Sequence, residues 1–504
     1  MYSAELKAVE RGISFTELME KAGTACADTI YERFCRNNNK VLILCGKGKN
    51  GGDGFVIARA LAKLGVKSDA ALMCGIPSSG DQFINFNLFK ESGGNIIDCT
   101  DNTDLFNNLI KDYDIIVDAV FGTGFRGSLN SFLSACADTV NSSGKTVVSI
   151  DVPSGVNCDT CEISGSVFKA NLTIAISAYK PIHIIKPYCE ICGETVIADI
   201  SITDNDYLRN DNLQIITNEE ADIKSILPER KSDSNKGSFG KAMCICGSYR
   251  MPGAAYMSVS GALKLGAGLV TACFPQSAYT PLSSKLTEAI LMPVTANEAG
   301  TFSSSAYNEI NEEVGKSKSA LIGCGIGVNP DTKKLTEEII RISAVPLVLD
   351  ADALNCIADN PAVLKEASCK IIITPHPGEM SRLCKKSVEE IISDTVKTAT
   401  EFSKEYGCTV VLKGANTVVC SPERDYVYIN KTGNTGLSKG GSGDLLAGML
   451  VSLLAQGMEP FEASAVAVYL HGDCADKLCE KYSERSVLVT DLINYLPEYM
   501  KRYD

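Results

Sequence analysis

The glycine-rich stretch at residues 430–450, NKTGNTGLSKGGSGDLLAGML, constrains the fold of this chain more than any other segment. It holds five glycines within eleven residues, and Asp444 follows directly. Apolar residues then recur at the spacing of one helical face, which predicts a helix that starts near Asp444. A glycine loop entering a helix presents unpaired backbone N–H groups and the positive end of the helix dipole, an arrangement suited to phosphate.

Asp444 needs a separate explanation, because its carboxylate repels phosphate. One explanation is capping, since Asp is a favoured residue at the N-cap of a helix. The other is chemical, with the carboxylate acting as a general base beside bound phosphates. The sequence leaves both interpretations open.

Short apolar runs alternate with amphipathic stretches throughout the second half. The predicted strands are KAMCICG, GLVTACF, SALIGCG, PLVLD, IIIT, TVVLKG, TVVCS and YVYIN. Helices are predicted at PGAAYMSVSGALKLG, DTKKLTEEIIRIS and VEEIISDTVKTATEFSKEYG. Buried strands with intervening helices predict a mostly parallel, doubly wound sheet.

Two polar residues follow strands of this half. His376 comes directly after IIIT and is bracketed by two prolines that fix the loop, which favours a ligand contact. Lys413 ends the strand of TVVLKG, a natural place to contact phosphate or adenine. His183 and His471 are interpreted as structural residues.

The first half begins with a helical segment, for which Ser14 is the predicted N-cap. The strand VLILCG, the glycine loop KGKNGGDG and the helix FVIARALAKLG then form a phosphate-binding βα unit, and the loop satisfies GxGxxG. The segment EISGSVFKANLTIAISAYKPIHIIKP is predicted to supply strands that complete this sheet.

Polar residues gather at the carboxyl ends of three strands in the first half. These residues are Asn50, Asp53, Asp118, Asp151 and Ser154. Each alone could be a helix cap or a turn residue. Open α/β sheets bind ligands at this edge, and a set of oxygen donors without His or Cys suits a hard cation.

Composition excludes several classes of function. The net charge is −13 and no long basic run is present, which argues against nucleic acid as a partner. The 21 cysteines are scattered through apolar runs, which predicts reduced core residues in a cytoplasmic protein. Two C-x-x-C pairs, at residues 158–161 and 189–192, leave zinc as an alternative, although their spacing is looser than in a zinc ribbon. The sequence contains no N-terminal signal segment and no apolar run of 18 residues, so no association with a membrane is predicted.

The join between the two halves is polar. Residues 203–236 contain TDNDYLRNDN, NEEAD and PERKSDSNKG, which places a domain boundary near residue 218. The prediction is therefore an α/β chain of two doubly wound domains, residues 1–218 and 219–504.

The second half resembles a known family of ribokinase-like enzymes. KGSFGKAMCICGS, PGAAYMSVSGALKLGAGLV, LIGCGIGVNP, LVLDADALN, IITPHPGEM and VVLKGANTVV occur in that order before GGSGD. Together these motifs resemble the ADP- or ATP-dependent NAD(P)H-hydrate dehydratases. The resemblance implies that the adenine nucleotide contacts Lys413, Gly414, Ala415, Asn416, Thr417, Asn434, Gly440, Gly441, Ser442 and Gly443. It implies that the hydrate contacts Ala254, Gly325, Gly327 and His376, with the catalytic Asp444 between the two substrates.

The first half is similar to NAD(P)H-hydrate epimerase domains over residues 1–215. The shared motifs are LMEKAG, the glycine loop, VDAVFGTG, DVPSG and SAYKP, and Lys49 stands where that family usually has Asn. The resemblance implies that K⁺ binds Asn50, Asp118 and Ser154. It implies that the hydrate contacts Lys49, Asn50, Gly51, Gly52, Asp53, Gly122, Thr123, Gly124, Phe125, Arg126, Gly127, Ser128 and Asp151.

The two resemblances together imply a bifunctional repair enzyme. It would interconvert the R and S forms of hydrated NADH and NADPH, and dehydrate the S form with ADP or ATP, releasing AMP or ADP and phosphate. Asp444 would be the base of the dehydration and Asp151 the acid–base group of the epimerisation, with Lys180 a weaker candidate. K⁺ and Mg²⁺ are the implied cations, and a homo-oligomer is expected. Two alternatives are a ribokinase-like small-molecule kinase with a regulatory N-terminal nucleotide-binding module, and a non-enzymatic nucleotide sensor.

Overall fold

The structure, a computed structural model, describes residues 2–37, 39–207 and 214–504. It divides into two compact units, Met1–Asp211 and Asn212–Asp504. This division falls a few residues before the predicted boundary at 218, because the strand Gln214–Ile216 pairs within the sheet of the second unit. Residues 208–213 of the predicted polar join lie outside the described residues.

The described residues of the first unit form one seven-stranded sheet. Its strands are β1 Val41–Cys45, β2 Ser68–Leu72, β3 Ile96–Asp98, β4 Ile115–Ala119, β5 Thr146–Ile150, β6 Leu172–Ile176 and β7 Glu194–Ala198. The order across the sheet is β3-β2-β1-β4-β5-β6-β7, and every pairing is parallel. Six of these strands follow the Rossmann order, which confirms the predicted Rossmann-like fold.

Helices cover this sheet on both faces. They are α1 Tyr2–Glu10, α2 Phe15–Ile30 with a π-helical end Tyr31–Cys35, α3 Lys49–Lys63, α4 Gly80–Glu91, α5 Thr103–Leu109, α6 Ser131–Ser142, α7 Pro181–Ile184 and α8 Asp204–Tyr207. Short 3₁₀ turns occupy Ile110–Asp112 and Tyr188–Cys192. Ser14 caps α2 as predicted, accepting a hydrogen bond from the backbone N–H of Glu17.

The central strand β1 shows why a continuous apolar run is needed here. Val41, Ile43 and Cys45 pack into the core on one face of the sheet, whereas Leu42 and Leu44 pack into the core on the other. Both faces of a parallel sheet are covered by helices, so alternate residues are equally buried.

One prediction for this unit was wrong in part. The segment at residues 162–187 contributes a single strand, β6, and then the short helix α7 in place of further strands. Pro181 explains the change, because proline lacks the N–H that a central strand must donate but suits the first position of a helix.

The described residues of the second unit form a ten-stranded sheet. Its strands are β8 Gln214–Ile216, β9 Lys241–Ile245, β10 Leu269–Pro275, β11 Ile290–Val294, β12 Ser319–Ile322, β13 Leu347–Leu349, β14 Ile371–Ile373, β15 Thr409–Leu412, β16 Val418–Cys420 and β17 Tyr426–Ile429. The order is β11-β10-β9-β12-β13-β14-β15-β16-β17-β8. Pairing is parallel except at β15–β16 and β16–β17, which confirms the predicted mostly parallel sheet.

The helices of this unit are more numerous than predicted. They are α9 Glu220–Ile226, α10 Pro252–Lys264, α11 Tyr279–Ser283, α12 Tyr307–Gly315, α13 Pro330–Ile342, α14 Asp352–Ile357, α15 Pro377–Cys384, α16 Val388–Ser393, α17 Thr395–Tyr406, α18 Ser442–Ala455, α19 Pro460–Cys479 and α20 Val489–Met500. Short 3₁₀ turns lie at Gln276–Ala278, Ser304–Ala306, Pro361–Glu366, Thr435–Leu437 and Lys501–Tyr503. The helix predicted over residues 388–407 is broken at Asp394, whose side chain caps α17.

Close contact with α10 fixes the position of α18, the helix after the glycine loop. A Cβ atom on Gly448 would lie 1.9 Å from the carbonyl oxygen of Ser258, and one on Gly261 would lie 2.7 Å from that of Leu445. Glycine at these two points therefore lets the helix backbones touch, which holds the first turn of α18 in place.

All 21 cysteines are free thiols, and each is buried or half-buried. Among the described residues, no helix combines the length and the apolar character needed to cross a membrane.

Candidate active sites

A cavity of about 680 Å³ opens at the carboxyl ends of the strands in the first unit. Residues from α2, α3 and the loops after β4 and β5 form its walls. The predicted site residues among its lining are Lys49, Asn50, Asp53, Gly122, Thr123, Gly124, Phe125, Arg126 and Asp151. Gly51, Gly52, Gly127 and Ser128 were predicted to contact the hydrate but do not line the cavity.

The glycine loop of this unit is already helical, since α3 begins at Lys49. Gly51 is needed for packing: a Cβ atom there would lie 1.8 Å from the carbonyl oxygen of Gly46. The first turn of α3 therefore rests directly on the end of β1. This contact directs the side chains of Asn50 and Asp53 toward the cavity.

Asn50 and Ser154 bond to the backbone of Phe121, and Ser154 also bonds to Asp118. The Asn50 side chain donates to the Phe121 carbonyl at 2.9 Å and to the Ile150 carbonyl at 3.2 Å. The Ser154 hydroxyl accepts from the Phe121 N–H at 2.8 Å and donates to Asp118 at 2.6 Å. The three residues predicted to bind a cation are thus brought together.

Asp118 is fully buried and bonded to neutral donors. Besides the Ser154 hydroxyl, its carboxylate accepts hydrogen bonds from the Ser154 N–H at 2.8 Å and the Ser149 hydroxyl at 3.0 Å. Among the described residues, no lysine, arginine or histidine forms an ion pair with it. Burial raises the pKa of Asp118, and these hydrogen bonds offset only part of the rise. A nearby cation would supply the missing positive charge.

A second carboxylate, Asp151, faces the same cavity from the end of β5. It forms a buried ion pair with Lys180, whose ammonium also donates to the Ile176 carbonyl at 2.7 Å. Asp151 has a backbone φ of +67°, a conformation that non-glycine residues rarely adopt and that clusters at functional sites. Burial, followed by the charge of Asp151, raises the pKa of Asp53 well above its ordinary value.

Two cations lie at the mouth of the cavity. Lys49 contacts Glu5 at 3.2 Å and its ammonium lies 4.9 Å from the centre of the Phe15 ring. Arg126 pairs with Asp159 at 2.6 Å. Both side chains are more than half exposed, so either could turn toward an incoming phosphate.

In the second unit, α18 begins at Ser442 and its N-cap is Gly441, with a φ of +98°. The capping interpretation of Asp444 was therefore wrong, because Asp444 lies inside the first helical turn. The backbone N–H groups of Gly443 and Asp444 have no hydrogen-bond partner within the described part of the chain. They provide the free donors that the glycine loop predicted.

Four neighbouring strand ends place ionisable side chains beside this helix start. Lys413, after β15, donates to Asp350, after β13, at 2.7 Å. Glu379, after β14, lies 4.0 Å from Lys413 and accepts from the His376 N–H at 2.8 Å. The thiol of Cys324, after β12, lies 3.6 Å from Asp350.

Asp350, Glu379 and Cys324 were not among the site residues predicted from the sequence. All three stand inside motifs that carry the family resemblance, LVLDADALN, IITPHPGEM and LIGCGIGVNP. Asp350 also follows a strand directly, and that position could have indicated a site residue. Their contacts join residues far apart in sequence, which the local pattern does not reveal.

The charges of this site act on one another. Burial, followed by the charge of Asp350, raises the pKa of Asp444 to about 6. Burial also raises the pKa of Glu379, although Lys413 opposes the rise. Burial lowers the pKa of Lys413, but Asp350 and Glu379 outweigh that effect, so its net shift is upward. Asp444 is thus a carboxylate that exchanges protons close to neutral pH, as a general base requires.

The other predicted contacts of this unit divide into two groups. Ala254 lies against Gly325, where an added Cβ would be 2.7 Å away, and Gly327 donates its N–H to Asp352 at 2.8 Å. His376 caps α15 through Nδ1, which accepts from Gly378, and leaves about half of its side chain exposed. These residues form a half-open surface beside the strand ends.

The residues predicted to hold the nucleotide lie in three segments. Gly414 and Thr417 close a turn after Lys413, and Asn416 donates to the Asn430 carbonyl at 3.0 Å. Gly440 is exposed, and an added Cβ there would meet open space, as would be expected at a ligand-facing loop. Asn434 instead donates to Asp476 at 2.9 Å, so its amide is already engaged. Ala415 is exposed at the tip of the turn.

Within the described residues, only Cys324, Asp350 and Asp444 bring three or more metal-binding side-chain atoms within 4.8 Å of one another. The four cysteines of the two C-x-x-C pairs do not form such a group, so the zinc alternative is not supported. His183 and His471 are buried, and burial lowers the pKa of each to about 4, in keeping with structural roles.

Two family models match the chain. The model described as NAD(P)H-hydrate dehydratase matches residues 242–498, and the YjeF-related protein N-terminus matches residues 15–182. The match to the dehydratase model lies wholly in the second unit, and the match to the YjeF-related model lies wholly in the first unit.

Relatives match nearly the whole chain. The bifunctional NAD(P)H-hydrate repair enzyme of Moorella thermoacetica is 33% identical over 493 residues, covering 97% of this chain and 92% of the relative. The enzyme of the same name from Escherichia coli K12 is 30% identical over 488 residues, covering 96% and 89%.

Solved structures match the second unit. A ribokinase-like superfamily protein from Enterococcus faecalis has 27% identity and a TM-score of 0.51, covering 58% of this chain and 99% of its own. The ADP/ATP-dependent NAD(P)H-hydrate dehydratase of Bacillus subtilis, co-crystallised with ATP/Mg²⁺, has 28% identity and a TM-score of 0.50, covering 58% and 100%.

A Rossmann-like unit with a carboxylate-lined cavity, followed by a ribokinase-like unit with an anion-binding helix start, defines a two-domain nucleotide-handling enzyme. The matches then identify which one. The chain belongs to the family of bifunctional NAD(P)H-hydrate repair enzymes. The predicted family, the predicted fold and the predicted enzyme class are confirmed.

Proposed function

We propose that this chain repairs hydrated NADH and NADPH, with the first unit interconverting the R and S hydrates and the second dehydrating the S hydrate at the expense of ADP or ATP. One observation carries the proposal. Asp444 lies in the first turn of α18 with a pKa raised to about 6, beside two free backbone N–H groups and the Lys413 ammonium. A phosphate-binding helix start gains from such a carboxylate only when a proton must be removed.

The dehydration follows from this arrangement. The terminal phosphates of the nucleotide would contact the N–H groups of Gly443 and Asp444 and the ammonium of Lys413, which spread their charge. Asp444 would accept the proton of the C6 hydroxyl while the oxygen of that hydroxyl attacks the terminal phosphorus of the nucleotide. The bond to the departing AMP or ADP then breaks. The lone pair of the ring nitrogen expels phosphate from C6, and loss of the C5 proton restores the dihydropyridine.

Mg²⁺ does not fit as an ion held by protein side chains here. The one group of three potential metal ligands among the described residues contains the Cys324 thiol, a ligand that Mg²⁺ avoids, and Asp350 is already bonded to Lys413. Mg²⁺ would therefore enter with the nucleotide phosphates, as the ATP/Mg²⁺ of the Bacillus subtilis dehydratase suggests.

The epimerisation is assigned to the cavity of the first unit. Inversion at C6 requires the ring to open and close again, with a proton removed from the hydroxyl and returned. Asp151 faces the cavity and is held by Lys180, so this pair is our candidate for the proton exchange. Asp53, whose pKa is raised well above its usual value, mainly by burial, lines the same cavity and could supply a proton.

Potassium fits the set formed by Asn50, Asp118 and Ser154. The donors are all oxygen atoms, only one is charged, and Asp118 is buried without a cationic side chain. A monovalent ion bound there would add positive charge and fix the loop at Phe121, which lines the cavity. The ion would therefore act on substrate binding.

The test is to add chemically hydrated NADH to the purified chain with and without ADP or ATP, and to follow the absorbance of the restored dihydronicotinamide. Complete recovery of a mixture of hydrates, dependent on ADP or ATP, is expected. Recovery of only part of the mixture would contradict epimerase activity. Transfer of phosphate to a sugar or vitamin without dehydration would favour the kinase alternative, and binding without turnover would favour a sensor.

We further infer a cytoplasmic homo-oligomer. The 21 free thiols support a reducing compartment, where such a chain keeps its cysteines reduced. The oligomeric state remains a prediction, which light scattering coupled to size-exclusion chromatography measures directly.

A further inference from the structure

Asp350 links the two groups on which the proposed dehydration depends. One carboxylate oxygen accepts from the Lys413 ammonium at 2.7 Å, and the other lies 3.6 Å from the Cys324 thiol. The same carboxylate lies within 4.8 Å of Asp444. Its side chain is only 1% exposed, so water does not screen these contacts.

The pair of Asp350 and Lys413 lies directly beneath the start of α18. An ideal Cβ on Gly443 would be 3.2 Å from the Lys413 ammonium and 3.7 Å from the Asp350 carboxylate. Only a glycine leaves this space clear. The ammonium is therefore held at the helix turn whose free N–H groups are available to phosphate.

We propose that Asp350 is the positioning residue of the second site, holding Lys413 at the first turn of α18 and facing Asp444 so that it remains a competent base. This inference rests on the proposed dehydration and adds a residue to it. Asp350 itself need not touch either substrate. It acts through Lys413 on the nucleotide and through its charge on Asp444.

The backbone around Asp350 supports a fixed position. A Cβ at Gly323 would lie 1.9 Å from the Asp350 carbonyl oxygen, and Gly323 has a φ of +132°. The next residue, Ala351, has a φ of +51°, which is strained for alanine. This strained turn directs the side chain inward at the end of β13.

Several ionisable groups lie near Asp444. The groups that act on it directly are Asp350, Lys413, Cys324 and Asp352. Cys246 is hydrogen-bonded to Cys324. The Nε2 atom of His471 lies 3.3 Å from the hydroxyl oxygen of Ser442. Lys413 is the only cation in this set, and Asp350 engages it. Without Asp350, Lys413 could pair with Glu379, which lies 4.0 Å away, or with Asp444, which it would keep ionised but less basic.

The first experiment measures the pH dependence of dehydration by the full chain and by Asp350→Asn. Activity should rise with pH as Asp444 loses its proton. Removal of the Asp350 charge should move this acidic limb of kcat/KM down by about one pH unit, because a repelling charge is lost. Asp350→Glu, which restores the carboxylate, should bring the limb back. Loss of activity with an unshifted limb would overturn the proposal.

A matched control is Asp359→Asn. Asp359 is exposed and pairs with Lys333 at 2.8 Å, so the same chemical change removes an aspartate–lysine pair away from the site. Its pH profile should match that of the unmodified chain. An equal shift in this variant would mean that the total charge, and not Asp350, sets the acidic limb.

The second experiment is a double-mutant cycle with Lys413→Met. If Asp350 affects the nucleotide through Lys413, each single change should raise the KM for ADP about tenfold, and the double change should add little more. Independent, multiplying effects would overturn the positioning role. Thermal melts of each variant show whether it folds, and Asp350→Glu remains informative if Asp350→Asn does not.

Failure of this inference is distinguishable from failure of the proposed function. If the unmodified chain does not dehydrate the hydrate with ADP or ATP, the proposed function fails. If it does, but Asp350→Asn leaves both the acidic limb and the KM for ADP unchanged, only the role of Asp350 fails.

Discussion

Each unit places a buried aspartate–lysine pair at the carboxyl ends of its strands, and the two pairs have different surroundings. Asp151 lines a cavity and pairs with Lys180, and its charge acts on another carboxylate of the same cavity, Asp53. Asp350 and Lys413 lie beneath a helix start with free backbone N–H groups. The first pair therefore lies near another acid, and the second lies near donors for an anion.

Under the proposed function, this difference lets one chemical pair serve two purposes. In the reaction that we propose for the first unit, Lys180 holds a carboxylate that exchanges protons with the C6 hydroxyl of the hydrate. In the reaction that we propose for the second unit, Lys413 is presented to phosphate and Asp444 exchanges the proton. On this proposal the surroundings of the pair, and not the pair itself, determine the reaction.

The largest expected effect is that of Asp444→Asn. Loss of the base should reduce dehydration by roughly 10²–10⁴, while ADP binding and epimerisation persist. The helix should be intact because Gly441, not Asp444, is its N-cap. Absorbance at the dihydronicotinamide band and calorimetric titration with ADP measure the two properties. Undiminished turnover would remove Asp444 from the mechanism.

The matching change in the first unit is Asp151→Asn. Asparagine tolerates a positive φ, so the backbone should be preserved. Epimerisation should fall by about 10², with dehydration of the S hydrate unaffected. Chiral chromatography of the two hydrates follows the rate. Because Lys180 is left unpaired, Lys180→Met is the companion variant, and normal epimerisation in both would refute the role of the pair.

A smaller effect is expected at the cation site. Asp118→Asn keeps the shape of the side chain but removes its charge, and should raise the K⁺ concentration needed for half-maximal epimerisation about tenfold, equivalent to about 1.4 kcal/mol. Dehydration by the second unit serves as the internal control and should not change. Equal epimerisation in K⁺, Na⁺ and a bulky organic cation would argue against any ion at this position.

The smallest effect concerns the boundary. Fragments 1–211 and 212–504 should each fold and retain one activity. A fragment 219–504 lacks β8, which pairs with β17, and should melt a few degrees lower than 212–504 while still dehydrating the S hydrate. Differential scanning calorimetry compares the two. Identical melting would mean that β8 contributes nothing to the second unit.

The sequence predicted the second sheet well because buried parallel strands are continuous apolar runs, whereas β2, β3 and β7 of the first sheet were not predicted. The strands β9, β10 and β12 to β17 all coincide with predicted runs. Two strands of the second unit were missed for identifiable reasons. β8 is not fully buried and lies within the polar join, so it lacks the apolar run of a buried strand, and β11 contains Pro293, which argues against a strand.

The candidate sites were predicted unevenly. Asn50, Asp118 and Ser154 were expected to meet because each lies at or after the carboxyl end of a predicted parallel strand, and the structure brings them together. Asp350 could not be assigned, since its partner Lys413 lies 63 residues away and an aspartate after a strand is equally common as a turn residue. For Asp444, the sequence could not exclude the capping interpretation, because that requires the first residue of the helix to be known to within one turn.

The cysteines give this chain a built-in probe of its own motions. Sixteen are buried and five half-buried, with ten in the first unit and eleven in the second. A thiol reagent therefore reaches most of them only when the surrounding structure opens, and the rate of modification measures the free energy of that opening. Mass spectrometry of the modified peptides would map local unfolding in each unit separately, with no engineered label.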